Sequence, residues 1–71
     1  MRNECIIRRT TAKRGTMPVA EYVETTIPRV KYTRERGRAR VYNYTRDAEY
    51  VIASKLRDTA KSFQWFEPVV L

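Results

Sequence analysis

The sequence predicts a small α+β domain in which one amphipathic helix packs on one face of a mostly antiparallel sheet of three to five strands. Two observations predict it: an apolar stripe of helical spacing between residues 46 and 62, and short segments rich in β-branched and aromatic residues on both sides of it. A helix needs a surface against which to bury its stripe, and a sheet face supplies one. The whole chain, residues 1–71, is expected to form a single domain.

The first half of the chain contains two predicted strands. Residues 4–10 combine a cysteine, two isoleucines and a threonine, a composition typical of strands. The glycine and proline within residues 11–20 predict a loop. Residues 22–27 alternate in a strand pattern, and Pro28 should end that strand, bulge it or place it at an edge, because proline cannot donate to a ladder.

A hairpin is the prediction for the next segment. Residues 30–33 and 39–44 are rich in β-branched and aromatic side chains, and Gly37 lies in the connection between them.

The helix is predicted to follow the hairpin directly, over residues 46–62. Thr45 has the side chain of a good N-cap, and Asp47 falls in the first turn, where the helix dipole favours negative charge. Residues 64–71 then predict a last strand, which Pro68 marks either as an edge strand or as a strand interrupted near its end. A winged-helix-like fold is the alternative, but it needs two or three helices and the first half shows none.

The apolar positions of these elements form the predicted core. We expect Cys5 to be a small buried residue of the first strand rather than a reactive thiol. Of Trp65 and Phe66, one should pack inward and the other be partly exposed, and Trp65 is expected in the core. The core candidates are Cys5, Ile7, Val23, Ile27, Val30, Val41, Ile52, Leu56, Phe63, Phe66 and Val69.

Composition excludes several functional classes. The chain has no histidine, which removes the usual imidazole base and most zinc and haem ligand sets, so no metal or cofactor is expected. A single cysteine cannot close an intrachain disulfide, and no apolar run approaches the roughly 18 residues of a membrane helix. A cytoplasmic protein with no membrane partner is therefore the expectation.

A catalytic role is not expected either. There is no glycine-rich phosphate loop, no pair of carboxylates at catalytic spacing and no nucleophile beside a base. Asp47, Glu49 and Asp58 have the positions of helix-surface charges.

The net charge of +7 comes from two segments. Residues 29–46 carry seven cations against Glu35 alone, a net of +6. Residues 1–14 carry five cations against Glu4, a net of +4, and the remaining residues sum to −3. The helix is thus close to neutral, while the first strand and the hairpin are suited to an acidic partner.

Alternation along the second hairpin strand assigns its side chains to faces. If Val41 faces the core, Arg40, Tyr42 and Tyr44 lie on the face that the helix leaves uncovered. Guanidinium groups bind carboxylates and phosphates, and tyrosine rings stack on bases or pack at interfaces. The predicted partner-binding residues are Arg8, Arg9, Arg29, Lys31, Arg36, Arg38, Arg40, Tyr42 and Tyr44.

A basic face with no partner is the plainer interpretation, because tyrosines also pack in strands and exposed arginines are often only solvated. The density of positive charge favours binding. Arginines far outnumber lysines, which favours planar, directional contacts. The sequence does not separate an acidic protein surface from nucleic acid.

Residues 38–70 carry a resemblance to a family. Strands precede a helix that opens with Thr45, Asp47 and Ala48, and a short strand closes the sheet, which is similar to many small phage-encoded host-takeover inhibitors. These include certain anti-CRISPR proteins and small inhibitors of bacterial RNA polymerase. Many of them are acidic mimics of nucleic acid; this chain is basic and departs from that pattern. The resemblance implies an inhibitor that binds an acidic patch of a host machine, or nucleic acid itself.

Three hypotheses follow. The first is a non-enzymatic, phage-encoded protein that blocks a host nucleic-acid-handling machine by occupying an acidic surface. The second is direct binding of DNA or RNA by the same face. The third is a structural subunit of a larger assembly, and self-association into a homo-oligomer also stays open.

Overall fold

The computed structural model describes residues 3–71 and shows an α+β domain with one four-stranded sheet. The strand order is β3-β2-β1-β4, and all neighbouring strands are antiparallel. The sheet prediction is therefore confirmed. The strands are β1 (Cys5–Thr11), β2 (Val19–Thr25), β3 (Lys31–Thr33) and β4 (Gln64–Val70).

Strand β4 is an edge strand, which is one of the two alternatives that its proline predicts. The Ala12 amide donates to the Phe63 carbonyl and the Leu71 amide to the Glu4 carbonyl, both at 2.9 Å. In this register the odd-numbered residues of β4 turn their backbone groups towards β1, and the even-numbered ones turn theirs outward. Pro68 occupies an outward position, so its missing N–H removes no bond from the ladder.

The helical segment begins one residue earlier and ends three residues sooner than predicted. Its parts are α1 (Thr45–Val51), a π-helical turn (Ile52–Leu56) and a 3₁₀ turn (Arg57–Thr59). Thr45 is not the N-cap: Tyr44 is, without a side-chain capping bond, and its carbonyl accepts from the Asp47 amide at 3.1 Å. At the other end the Thr59 hydroxyl donates to the Leu56 carbonyl at 2.6 Å, and Ala60 is extended.

None of the helices within residues 3–71 has the length and apolar character to cross a membrane.

The main core lies between the helical segment and one sheet face. Val30, Tyr32, Val51 and Phe66 pack around it. Most of the predicted core is confirmed, Cys5 included, whose exposed fraction is zero. Its buried members are Cys5, Ile7, Val23, Tyr42, Ala48, Ile52 and Leu56.

Two predicted core residues are exposed instead. Ile27 is 68% exposed because β2 already ends at Thr25. Ile27 lies in the turn after β2, where its backbone is hydrogen-bonded to the Thr25 hydroxyl. The peptide bond between Ile27 and Pro28 is cis. Val41 is 47% exposed because its neighbour Tyr42 takes the inward position.

The predicted hairpin between residues 30–33 and 39–44 is wrong. Strand β3 pairs with β2, and residues 39–44 form no strand. The Arg40 amide instead donates to the Val23 carbonyl at 2.9 Å, on the side of β2 away from β3. Tyr42 exchanges two backbone hydrogen bonds with Cys5, of 2.9 and 2.8 Å. Residues 40–42 thus fill a gap between the diverging ends of β1 and β2.

To reach that gap, the chain crosses β2 on the sheet face opposite the helix, which we call the open face. A second cluster of buried residues marks the crossing: Ala39 packs with Ile6 and Tyr22, and Val69 of β4 lies against them. Ile6 and Tyr22 alternate with Ile7 and Val23 of the main core, so the two clusters lie on opposite sides of the sheet.

Candidate interaction surface

The structure divides the nine predicted partner-binding residues into two groups. Five of them are exposed and lie together in residues 29–40, which we call the basic segment. Arg34, which the prediction left out, is exposed there as well. The cations of the basic segment are Arg29, Lys31, Arg34, Arg36, Arg38 and Arg40, against Glu35 alone, a net of +5 in a chain of net +7.

The basic segment has a defined shape, held by hydrogen bonds along its length. The Glu35 amide donates to the Thr33 hydroxyl at 3.1 Å, and a 3₁₀ turn over Arg36–Arg38 follows. The Ala39 amide bonds to the Arg36 carbonyl at 3.1 Å. With β3 paired to one side of β2 and Arg40 bonded to the other, both ends of the segment are fixed on the same strand. Its arginines are therefore presented from a folded support, which lowers the ordering cost of binding.

Two arginines of the basic segment lie over the open face. The guanidinium carbon of Arg36 is 5.7 Å from the centre of the Tyr22 ring. The Arg38 Nε is 3.1 Å from Glu24 Oε1, and 64% of the Arg38 side chain stays exposed. The pairing uses Nε and leaves the terminal amino groups of Arg38 available for a second carboxylate or a phosphate. Arg36 forms no ion pair within residues 3–71 and can bind either group as well.

The start of the basic segment forms a charged sheet edge. Within residues 3–71, Arg29, Lys31 and Arg34 form no ion pair. Charged side chains on an edge strand also prevent edge-to-edge aggregation, which is a structural reason for their presence that needs no partner. Arg36 and Arg38 continue the positive charge onto the open face, where protection of the sheet edge does not require it.

The predicted face of Arg40, Tyr42 and Tyr44 is wrong, because Tyr42 points into the main core and Val41 points outward. Tyr42 is 8% exposed, and its hydroxyl has no hydrogen-bond partner within residues 3–71. Burial raises the pKa of Tyr42. Arg40 stacks against this ring, with its guanidinium carbon 5.3 Å from the ring centre. Tyr42 therefore offers no surface to a base or to a partner.

Tyr44 stays partly accessible, with 38% of its surface exposed. Its ring lies under Arg46, whose guanidinium carbon is 4.8 Å from the ring centre, and its backbone begins the helix. Tyr44 is thus separate from the basic segment.

Arg8 and Arg9 do not join the basic segment either, because neighbouring strands hold them. Arg8 donates from Nε to Glu67 of β4 at 3.1 Å, and this hydrogen bond raises the pKa of Arg8. Arg9 points to the helix side, 3.6 Å from the centre of the Tyr32 ring, and pairs with Glu21 at 2.8 Å. Because successive side chains of a strand point to opposite faces, Arg8 lies on the open face and Arg9 on the helix side.

Trp65 is on the open face, which corrects the expectation that it lies in the core. It pairs with Thr10 of β1 and is 47% exposed, whereas Phe66 points to the helix side and packs on the main core. The sequence contains a signal for this arrangement. Because side chains alternate along a strand, Trp65 and Val69 must lie on one face of β4 and Phe66 on the other.

Within the part of the chain from residue 3 to 71, no group of three His, Cys, Asp or Glu side chains could hold a metal ion.

Searches of protein-family models, curated proteins and solved structures find nothing that matches this chain. The fold and its surface define a small α+β domain with a localised, structurally supported basic segment.

Proposed function

We propose that this chain is a small non-enzymatic binding protein that uses its basic segment to occupy an acidic surface on a nucleic-acid-handling machine in the cytoplasm of a bacterial host. The observation that carries the proposal is the concentration of six exposed cations in one hydrogen-bonded segment of net +5. The class of target follows from the resemblance to small phage-encoded host-takeover inhibitors.

The arrangement of the tyrosines favours an acidic protein surface over a single-stranded nucleic acid. Stacking of successive bases requires several exposed ring faces beside the cations, and within residues 3–71 the open face exposes one such ring, that of Trp65. Tyr22 and Tyr42 are 7% and 8% exposed, and Arg36 and Arg40 lie against their rings. Both arginines are exposed, so their guanidinium groups can bind carboxylates, the acidic groups of a protein partner.

Charge reversal at two positions tests the proposal. Arg29→Glu with Arg34→Glu changes exposed side chains that form no ion pair within residues 3–71. Lys55→Glu with Arg57→Glu makes the same charge change on the exposed side of the helical segment and is the matched control. Capture of host proteins from a nuclease-treated bacterial lysate should persist with the control and be lost with the first pair. Urea unfolding should show that both variants fold.

Equal loss of capture in both variants would show that net charge alone drives association and would contradict the proposal. A salt titration against duplex and single-stranded oligonucleotides decides the alternative. Direct binding of nucleic acid weakens steeply as salt rises, in proportion to the phosphates neutralised. Oligonucleotide binding that survives about 150 mM salt and depends on Arg29 and Arg34 would instead assign the basic segment to nucleic acid.

A further inference from the structure

An exposed apolar strip lies on the open face beside the basic segment. Along β4, Trp65 pairs with Thr10 and Val69 with Ile6, so both have the orientation of the buried Ile6 cluster. Leu71 continues the same phase. The apolar strip consists of Trp65, Val69, Leu71 and Val41, of which Trp65 is 47%, Leu71 63% and Val41 47% exposed.

The apolar strip and the basic segment form one continuous surface. Ala39, the end of the crossing, packs on Ile6, and Val69 packs on the same cluster from the other side. Val41 follows Ala39 by two residues. Tyr22, under the guanidinium of Arg36, belongs to that cluster as well. A partner lying across the open face would therefore contact apolar side chains on β4 and arginines over β2.

The one carboxylate of β4 within this surface is neutralised. Glu67 lies between Trp65 and Val69 in the same phase and pairs with Arg8 of β1. Glu67 therefore presents no unpaired carboxylate to an acidic partner. The exposed Glu4, whose carbonyl accepts from the Leu71 amide, is the carboxylate at the end of the apolar strip. Aromatic and arginine side chains are the types enriched at the centres of protein interfaces.

We propose that the open face binds an acidic amphipathic segment of a partner protein, with the partner's apolar side chains on the apolar strip and its Asp or Glu side chains on Arg36 and Arg38. This inference rests on the proposed function and names the chemistry of its partner. A second copy of this chain fits the surface less well, since it would bring two basic segments of net +5 together. A purely charged polymer would leave the apolar strip in water.

The fluorescence of Trp65 tests the inference directly, because it is the sole tryptophan of the sequence. The probe is a peptide of about 18 residues that contains only leucine and glutamate, with leucines at helical spacing. A scrambled peptide of the same composition and a polyglutamate of the same net charge are the comparisons. At about 150 mM salt, the amphipathic peptide should shift Trp65 emission to shorter wavelength and bind at least about tenfold more tightly than the scrambled one.

Two variants and one control locate the binding, with the anisotropy of the labelled peptide as the readout. Trp65→Ala should weaken binding at least about tenfold, the loss expected when an interface anchor is removed. Leu71→Asp, at a 63% exposed position outside the strands, should weaken it as well and keeps the test available if Trp65→Ala unfolds. Tyr50→Ala, at a 72% exposed aromatic residue on the helix, should leave affinity unchanged.

Equal binding of the amphipathic, scrambled and polyglutamate peptides without a shift of Trp65 emission would overturn the inference and leave the proposed function intact. A blue shift that grows with protein concentration alone would overturn it in favour of a second copy. Displacement of the peptide by an oligonucleotide at the same salt would overturn it in favour of nucleic acid. Failure of the proposed function is a separate outcome, seen when reversal of Arg29 and Arg34 has no effect on partner capture.

Discussion

The two faces of this sheet are built from the same strands and are covered to different extents. The helix side holds Cys5, Ile7, Val23 and Leu56, all with no exposed surface. The open face holds a smaller buried cluster, covered in part by a crossing segment, and beside it exposed apolar and cationic side chains. The helix side therefore holds the larger buried core, and the open face keeps more of its side chains in contact with solvent.

The difference has a simple physical origin. A helix with an apolar stripe covers several strands at once, and burial of apolar area on that side is the dominant stabilising contribution. A short segment with a small residue such as Ala39 covers only Ile6 and Tyr22. The rest of the open face remains in contact with water, and its cations are solvated or, like Arg8 and Arg38, paired with a neighbouring carboxylate.

The largest expected effect is the difference in the free energy of unfolding between a substitution on the helix side and one on the open face. Leu56→Ala should lower the free energy of unfolding by about 2–5 kcal/mol, because it leaves a cavity in the main core. Leu71→Ala, at a 63% exposed position, should change it by less than about 0.5 kcal/mol. Urea denaturation measures both. Losses of similar size would show that the apolar strip is part of the core.

A smaller effect concerns the buried phenol and thiol of the helix side. Burial raises the pKa of both Tyr42 and Cys5 above their ordinary values of 10.0 and 9.0, and for Cys5 the charges of Asp47 and Glu49 add to this effect. The unfolded chain therefore loses these protons first as pH rises. The stability that comes from keeping Tyr42 and Cys5 buried and protonated is complete below about pH 9. It is lost as pH rises through the pKa values of these groups in the folded protein.

Replacement of the phenol isolates one part of this loss. At neutral pH, Tyr42→Phe should cost less than about 1 kcal/mol or should stabilise, because the hydroxyl has no hydrogen-bond partner within residues 3–71. At about pH 10.5 the stability of Tyr42→Phe relative to wild type should rise. Urea midpoints at the two pH values measure this, with Tyr50→Phe at an exposed position as the control. A Tyr42→Phe effect that is independent of pH would contradict the buried, protonated phenol.

Much of the helix-covered face could be predicted from sequence, because its signals are local. The spacing of Ile52 and Leu56 predicts the buried stripe, and the composition of β1 and the proline of β4 predict strands of the right kind. The helix limits were less predictable, since Thr45 has the chemistry of an N-cap but lies one residue inside the helix.

The open face could not be predicted in the same way, because its geometry depends on distant contacts. Residues 39–44 have the composition of a strand, but only the divergence of β1 and β2 determines where they insert. Alternation alone allows either Val41 or Tyr42 to point inward. The greater apolar area of a tyrosine ring favours the choice that the structure makes. The charge of the basic segment was readable from sequence, whereas the apolar strip required the register of β4.

The measurement that most directly tests the division between the two faces is a map of backbone amide chemical shifts on titration with the amphipathic leucine–glutamate peptide. The predicted changes fall in residues 34–40 of the basic segment and in Val41 and residues 65–71 of the apolar strip, with residues 45–59 of the helical segment unaffected. Changes centred on residues 45–59, or spread evenly over the molecule, would contradict the assignment of binding to the open face.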